Sequence, residues 1–272
     1  MIEREALLAG VALPAAMCGG LLAVGRARWP IPASLAHGGT FCVAFAVLFG
    51  WPGFRPIAHW QWVAYAATLA TVAGLVVSRD GMPAFARRVV VLLVSVLCAA
   101  LLTPPWADPR IGWVVALTLA MFALWFALVA IARSVGEAGV CAILMIACVV
   151  SARVLLAGGN GKLAQAVAIL AAATLGQILA GVRPRASDFD ASGLPLFAVL
   201  LPGVSILGHF NNYSSVPTAA FVISALLPCA GLVAILKPGK QTPGRGATLL
   251  AIGSVLLAGA VLVGWVTLRG GS

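Results

Sequence analysis

Ten long apolar runs, near 6–25, 31–50, 61–78, 89–106, 111–132, 136–157, 163–182, 194–210, 217–236 and 247–268, make up most of this 272-residue chain. Short clusters of Arg, Lys, Pro, Gly and Asp separate them. A helix of about 20 apolar residues matches the ~30 Å hydrocarbon core of a bilayer, and in hydrocarbon only a helix or a closed barrel satisfies every backbone group. Strands of about ten residues with alternating polarity are not visible, which argues against a barrel. Charge points the same way: 9% of the residues are charged and 62% are apolar, whereas soluble domains carry roughly 25% charged residues. The expected fold is therefore all-α, a polytopic transmembrane helix bundle of about 10 spans (range 8–10). It forms a single integral membrane domain over 1–272 and leaves no room for a separate soluble domain. Two spans are weak. The run 31–50 contains His37-Gly38-Gly39-Thr40, and the short run 194–210 is interrupted by Pro202-Gly203. The first run reads as a retained helix and not a cleaved signal, because Met1-Ile2-Glu3-Arg4-Glu5 has two acids for one base.

The distribution of bases sets an expected orientation. Arg26, Arg28, Arg79, Arg87, Arg88, Arg133, Arg183, Arg185, Lys237, Lys240 and Arg245 fall in the odd-numbered connections, against Arg4, Arg55, Arg110, Arg153, Lys162 and Arg269 on the other side. Short loops rich in Lys and Arg stay in the cytoplasm, so both termini are expected outside it, in a multi-pass protein of the cell (inner) membrane. Trp29, Trp51, Trp60, Trp62, Trp106, Trp113 and Trp265 lie at or near run ends, as interfacial tryptophans do, and only Trp125 falls mid-run. The net charge of +10 then suits anionic lipid at the cytoplasmic loops, at about 1 kcal/mol per base. Dispersal of the bases over five loops argues against a nucleic-acid partner.

The seventh run carries Ala164, Ala168, Ala172, Gly176 and Ala180 at every fourth position. Such a ladder lets another backbone approach closely where lipid gives no hydrophobic drive for association, and marks a central packing helix. Gln165, Thr174 and Gln177 on the same run suit interhelical hydrogen bonds or the lining of a substrate path. The six cysteines form no CxxC pair and no Cys/His cluster, so no metal, cofactor or disulfide framework is expected.

Ionisable groups inside a span are the usual pointers to function, and this chain has almost none. Its acids, Glu3, Glu5, Asp80, Asp108, Glu137, Asp188 and Asp190, all lie at termini, in connections or in the first turn of a run. Arg153 lies inside a run, five residues before Gly158-Gly159-Asn160-Gly161, and its long stem can snorkel to the interface. The bis-His pair of a membrane haem, a catalytic triad and a phosphate loop are all missing. Two segments remain as candidate sites. His37-Gly38-Gly39-Thr40 either loosens a helix and frees backbone carbonyls, as in carriers with discontinuous helices, or packs closely while His37 bonds a neighbour. Gly208-His209-Phe210-Asn211-Asn212-Tyr213-Ser214-Ser215, directly after Pro202-Gly203, either forms a re-entrant element or is a loop with Ser214 or Ser215 capping the next helix. The candidate polar lining is accordingly His37, Thr40, Arg153, Gln177, His209, Asn211 and Asn212.

The stretch from Gly208-His209-Phe210 to Leu226-Leu227-Pro228 resembles a segment of uncharacterised polytopic bacterial inner-membrane proteins. The resemblance implies a bacterial inner membrane and carries no activity. Two functions are compatible with these residues. One is a non-catalytic membrane protein or assembly subunit, with a homo-oligomeric or membrane-protein partner. The other is a transporter or permease for a small neutral or apolar compound.

Overall fold

The computed structural model describes residues 8–27, 31–51, 56–79, 81–179, 192–214, 216–234 and 245–270. Ten helical segments follow one another there, one in each apolar run. A π-helical turn (Leu8–Ala12) leads into α1 (Leu13–Ala27), followed by α2 (Ala33–Phe49) and, after a 3-10 turn (His59–Gln61), α3 (Trp62–Val77). Then come α4 (Ala84–Leu102), α5 (Arg110–Gly136), α6 (Ala138–Ala157) and α7 (Gly161–Leu179). Next are α8 (Leu194–Phe210), α9 (Thr218–Leu226) with a 3-10 continuation (Leu227–Ala234), and α10 (Arg245–Gly270). There is no strand among the described residues. Six helices, within His59–Val77, Ala84–Leu102, Arg110–Gly136, Ala138–Ala157, Gly161–Leu179 and Gly246–Arg269, are long and apolar enough to cross a membrane. The protein is thus a membrane-embedded, multi-pass helical bundle. The apolar helices in α1, α2, α8 and α9 are shorter, at 10–17 residues.

Local chemistry explains most boundaries. α4 starts at Ala84, directly after Pro83 in the N-cap position, and stops at Leu102, because Pro104-Pro105 cannot continue a helix; both ends lie a few residues earlier than its apolar run suggests. Arg87 and Arg88 therefore lie inside the first turns of α4, with the Arg88 guanidinium 5.8 Å from the Phe126 ring centroid. Between α5 and α6 the chain turns at Gly136, whose φ of 71° and ψ of 177° fall in a region essentially reserved for glycine. Past this turn, Ile131 of α5 and Ile143 of α6 both pack near Gly231.

Of the two alternatives at each weak span, the unbroken one holds. α2 runs unbroken through His37-Gly38-Gly39-Thr40, and Gly38 serves close packing: a Cβ there would overlap the Thr71 side chain of α3. α8 likewise continues through Pro202, enclosed by its neighbours along almost its whole length. Missing backbone bonds at a proline are tolerated when surrounding helices hold the segment, and Gly203 beside it admits the Leu102 side chain of α4. No re-entrant element forms there.

Among the described residues the connections lie at two ends of the bundle. Residues 56–61, 103–109, 158–160 and 211–214 meet at one end, where Tyr213 N donates to Gly158 O at 3.2 Å and His59 Nε2 to Leu102 O at 3.3 Å. At the opposite end Thr248 Oγ1 of α10 donates to Val135 O at 3.1 Å, and Gly74 of α3 packs on the Ser192 carbonyl just before α8. α7 is central. Its Ala164, Ala172 and Gly176 are buried and Ala168 is half-buried, while Ala180 lies outside the described residues. A Cβ on Gly176 would collide with the Ala15 carbonyl oxygen, so α1 crosses α7 backbone to backbone, as the ladder implies.

Candidate functional site

Three polar places emerge from this packing. The first is a basin of about 390 Å³ at the end where residues 56–61, 103–109, 158–160 and 211–214 meet. Gly159, at φ +77°, turns the chain between α6 and α7 and sets Asn160 beneath the surface. Asn160 Nδ2 donates to Gly158 O and to Gly208 O of α8, both at 3.1 Å, and so ties the turn to the end of α8. Ser214 Oγ bonds Ala157 O at 2.7 Å, while Pro217 takes the N-cap position of α9 without a side-chain cap. Ser214 thus fastens one connection to another instead of capping a helix, and Ser215 lies outside the described residues. Around this floor stand His59 and Trp106, with ring centroids 5.5 Å apart, and Trp60, whose ring lies 5.0 Å from Lys162 Nζ.

The second place is a lateral apolar cleft of about 150 Å³ between α5, α8 and α9, walled by residues such as Trp113, Leu117, Ile206, Phe221 and Val222. His209 lines it 5.7 Å from the Trp113 ring, and His209 Nδ1 has no hydrogen-bond partner among the described residues. At its floor Ser205 Oγ lies 3.5 Å from Ser224 Oγ, and Ser151 Oγ donates to Ser224 O at 3.2 Å.

The third place is enclosed. His37 is fully buried on α2, donates from Nδ1 to Ala33 O at 3.0 Å, meets the Gln177 side chain of α7, and turns its ring edge to Phe197 of α8 at 5.7 Å. Ser34 Oγ and Thr40 Oγ1 are buried nearby on the same helix, without a hydrogen-bond partner among the described residues.

The polar residues singled out from sequence therefore separate. His37 and Gln177 come together, and Thr40 lies one turn along from His37. Asn211 lines the basin, its Nδ2 held by Leu207 O at 2.9 Å. His209 lines the cleft. Asn212 shapes the α8–α9 connection, donating to Val216 O at 2.8 Å and accepting from Ser214. Arg153 is exposed on the outside of α6 and is not among the residues of either cavity, in keeping with a snorkelling side chain. His59, Trp60, Trp106, Asn160 and Lys162 were not singled out for a site. The signal that could have found them is that polar and aromatic residues cluster in every second connection. No protein-family model and no curated protein matches the chain.

Proposed function

We propose that this is a ten-span, non-catalytic protein of a bacterial inner membrane, with both termini outside the cytoplasm, acting as a subunit of a membrane assembly. Alternation of the connections between two ends supports ten crossings. At 17 residues each, α2 and α8 rise about 25 Å, near the lower limit for a span. The excess of bases in the odd-numbered connections supports the orientation, and the resemblance of residues 208–228 supports the bacterial membrane.

The observation that carries the assembly role is the use made of buried and half-buried polar side chains. Asn160 bonds α8 from the α6–α7 turn, Ser151 of α6 bonds α9, and Thr248 of α10 bonds the end of α5. Groups that could serve a reaction hold helices together, while α4 and α10 turn large apolar residues such as Phe85, Leu93, Leu257 and Leu268 outward. Light-scattering mass in mild detergent is expected to exceed one chain, as an oligomer or with a second protein. A uniform monomer overturns the assembly role.

A second reading, a carrier for a small neutral or apolar compound, is favoured by the lateral cleft. With α2 and α8 unbroken it rests on that cleft alone. A fluorescent apolar probe should bind the purified protein and be excluded by Ala120→Trp, which fills the cleft. Equal binding to both proteins removes this reading.

A further inference from the structure

The basin at the end face takes no part in either reading, and its chemistry is specific. Lys162 is the cation in its lining; its described contact is the Trp60 ring, and among the described residues no carboxylate pairs with it. Arg110, outside the lining, interacts electrostatically with His59 while its guanidinium donates to Ala100 O at 3.4 Å. Asp108, the described acid at this end, is not among the lining residues. A ring face attracts an ammonium weakly at an exposed site, by about 0.5–1 kcal/mol, so Lys162 is positioned by Trp60 but not neutralised.

We infer that this basin binds a phosphate-bearing anion, either a lipid headgroup at this membrane interface or a free phosphate. The lining disfavours a cation, which would meet the Lys162 ammonium with no carboxylate among the lining residues. The neutral amides fix the shape: Asn160 and Asn211 point their Nδ2 groups at backbone carbonyls, and the site stays preformed around the ammonium. Lysine is a common point-charge partner for phosphate. The inference needs only a membrane-embedded chain. It stands whether or not the span count or the assembly role survives.

The test is a titration of the full chain in neutral detergent, followed through tryptophan fluorescence, since Trp60 and Trp106 wall the basin. The ligands are short-chain phosphatidylglycerol, phosphatidylcholine of the same chain length, and inorganic phosphate. Saturable binding is expected, at least about tenfold weaker in Lys162→Gln through loss of a charge-assisted contact, and kept in Lys162→Arg. Phosphatidylglycerol binding well ahead of phosphatidylcholine and free phosphate assigns a lipid headgroup; equal binding by free phosphate assigns a soluble anion. Lys162 is exposed, so its substitution leaves the packing intact. Absence of saturable binding by phosphatidylglycerol and phosphate, or binding unchanged in Lys162→Gln, overturns the site.

Discussion

At the basin end of the bundle Trp60, Trp106, Trp113 and Trp265 lie near the helix ends, and connections are joined by side-chain hydrogen bonds such as Asn160 to Gly208 O and Ser214 to Ala157 O. At the opposite end Arg79, Arg87, Arg88 and Arg133 gather, and backbones touch directly: Gly74 lies against the Ser192 carbonyl and Gly176 against that of Ala15. The two ends solve the same problem by different means. Four connections crowd together around the basin, so their exposed peptide groups need polar partners there. Where helices cross tightly, small residues let the chains approach without any polar side chain. The larger share of aromatic residues at one end and of bases at the other suits the orientation proposed above.

The sharpest way to break the comparison is to ask whether the ends face opposite compartments. Reporters active only outside the cytoplasm, fused within 211–217 and after Ser272, are expected to be fully active; one inserted near Arg133 should be silent. Activity at all three positions would dissolve the distinction between the ends. Next in size is the backbone contact itself. Gly176→Ala drives a methyl into the Ala15 carbonyl, and Gly74→Ala drives one into the Ser192 carbonyl and the Ser34 side chain. Neither neighbour can rotate away, so each substitution should destabilise by about 3 kcal/mol, the upper part of the usual overpacking range. Denaturation in mixed detergent micelles measures it, and a loss below about 1 kcal/mol would show that the helices are not in backbone contact there.

How far these features can be read from sequence depends on how local their causes are. Each helix lies in its own apolar run, because length and hydropathy are properties of one segment. The C-terminal end of α4 falls short of its run because Pro104-Pro105 acts more strongly than the apolar residue beyond it, and its start follows Pro83. The sequence leaves the integrity of α2 and α8 as one of two alternatives: glycine pairs and proline loosen an isolated helix, whereas close packing on Thr71 and enclosure along α8 decide the outcome, and both come from distant residues. The basin was hidden for a related reason. His59, Trp106, Asn211 and, in the first turn of α7, Lys162 each lie at a different connection, and only the alternation of helix direction brings them together. Asn211 and His209 stood out as polar, yet their opposite destinations, basin and cleft, depend on which side of α8 each occupies.

At the basin end the expected effect is smaller and of polar origin. Asn160→Ala removes both Nδ2 bonds, leaving Gly208 O without its donor in a buried setting, while Gly158 O keeps the Tyr213 amide. One buried group losing its partner costs about 1–3 kcal/mol. The loss should appear as earlier thermal unfolding in detergent, together with weaker anion binding in the basin as the α6–α7 turn loosens. Asn160→Asp keeps the size but not the donors and should behave like the alanine variant; stability equal to the native protein in both would mean that the end face is held by something other than these bonds.

The smallest effect sharpens the contrast most. Gly208 also sits at a helix contact, and a Cβ there would meet the Leu155 side chain and, at 3.1 Å, the Phe221 ring. Unlike the carbonyls at the opposite end, these are side chains with rotamers to spare, and Phe221 borders the lateral cleft, into which it can shift. Alanine is also favoured over glycine inside a helix by about 1 kcal/mol. Gly208→Ala should therefore fall within about 1 kcal/mol of the native stability, although Gly176→Ala gains the same helix propensity and still loses several times more. Unfolding both variants under one detergent condition tests the point directly. Equal destabilisation would mean that glycine acts alike at the two ends, and that the difference lies only in their charged and aromatic residues.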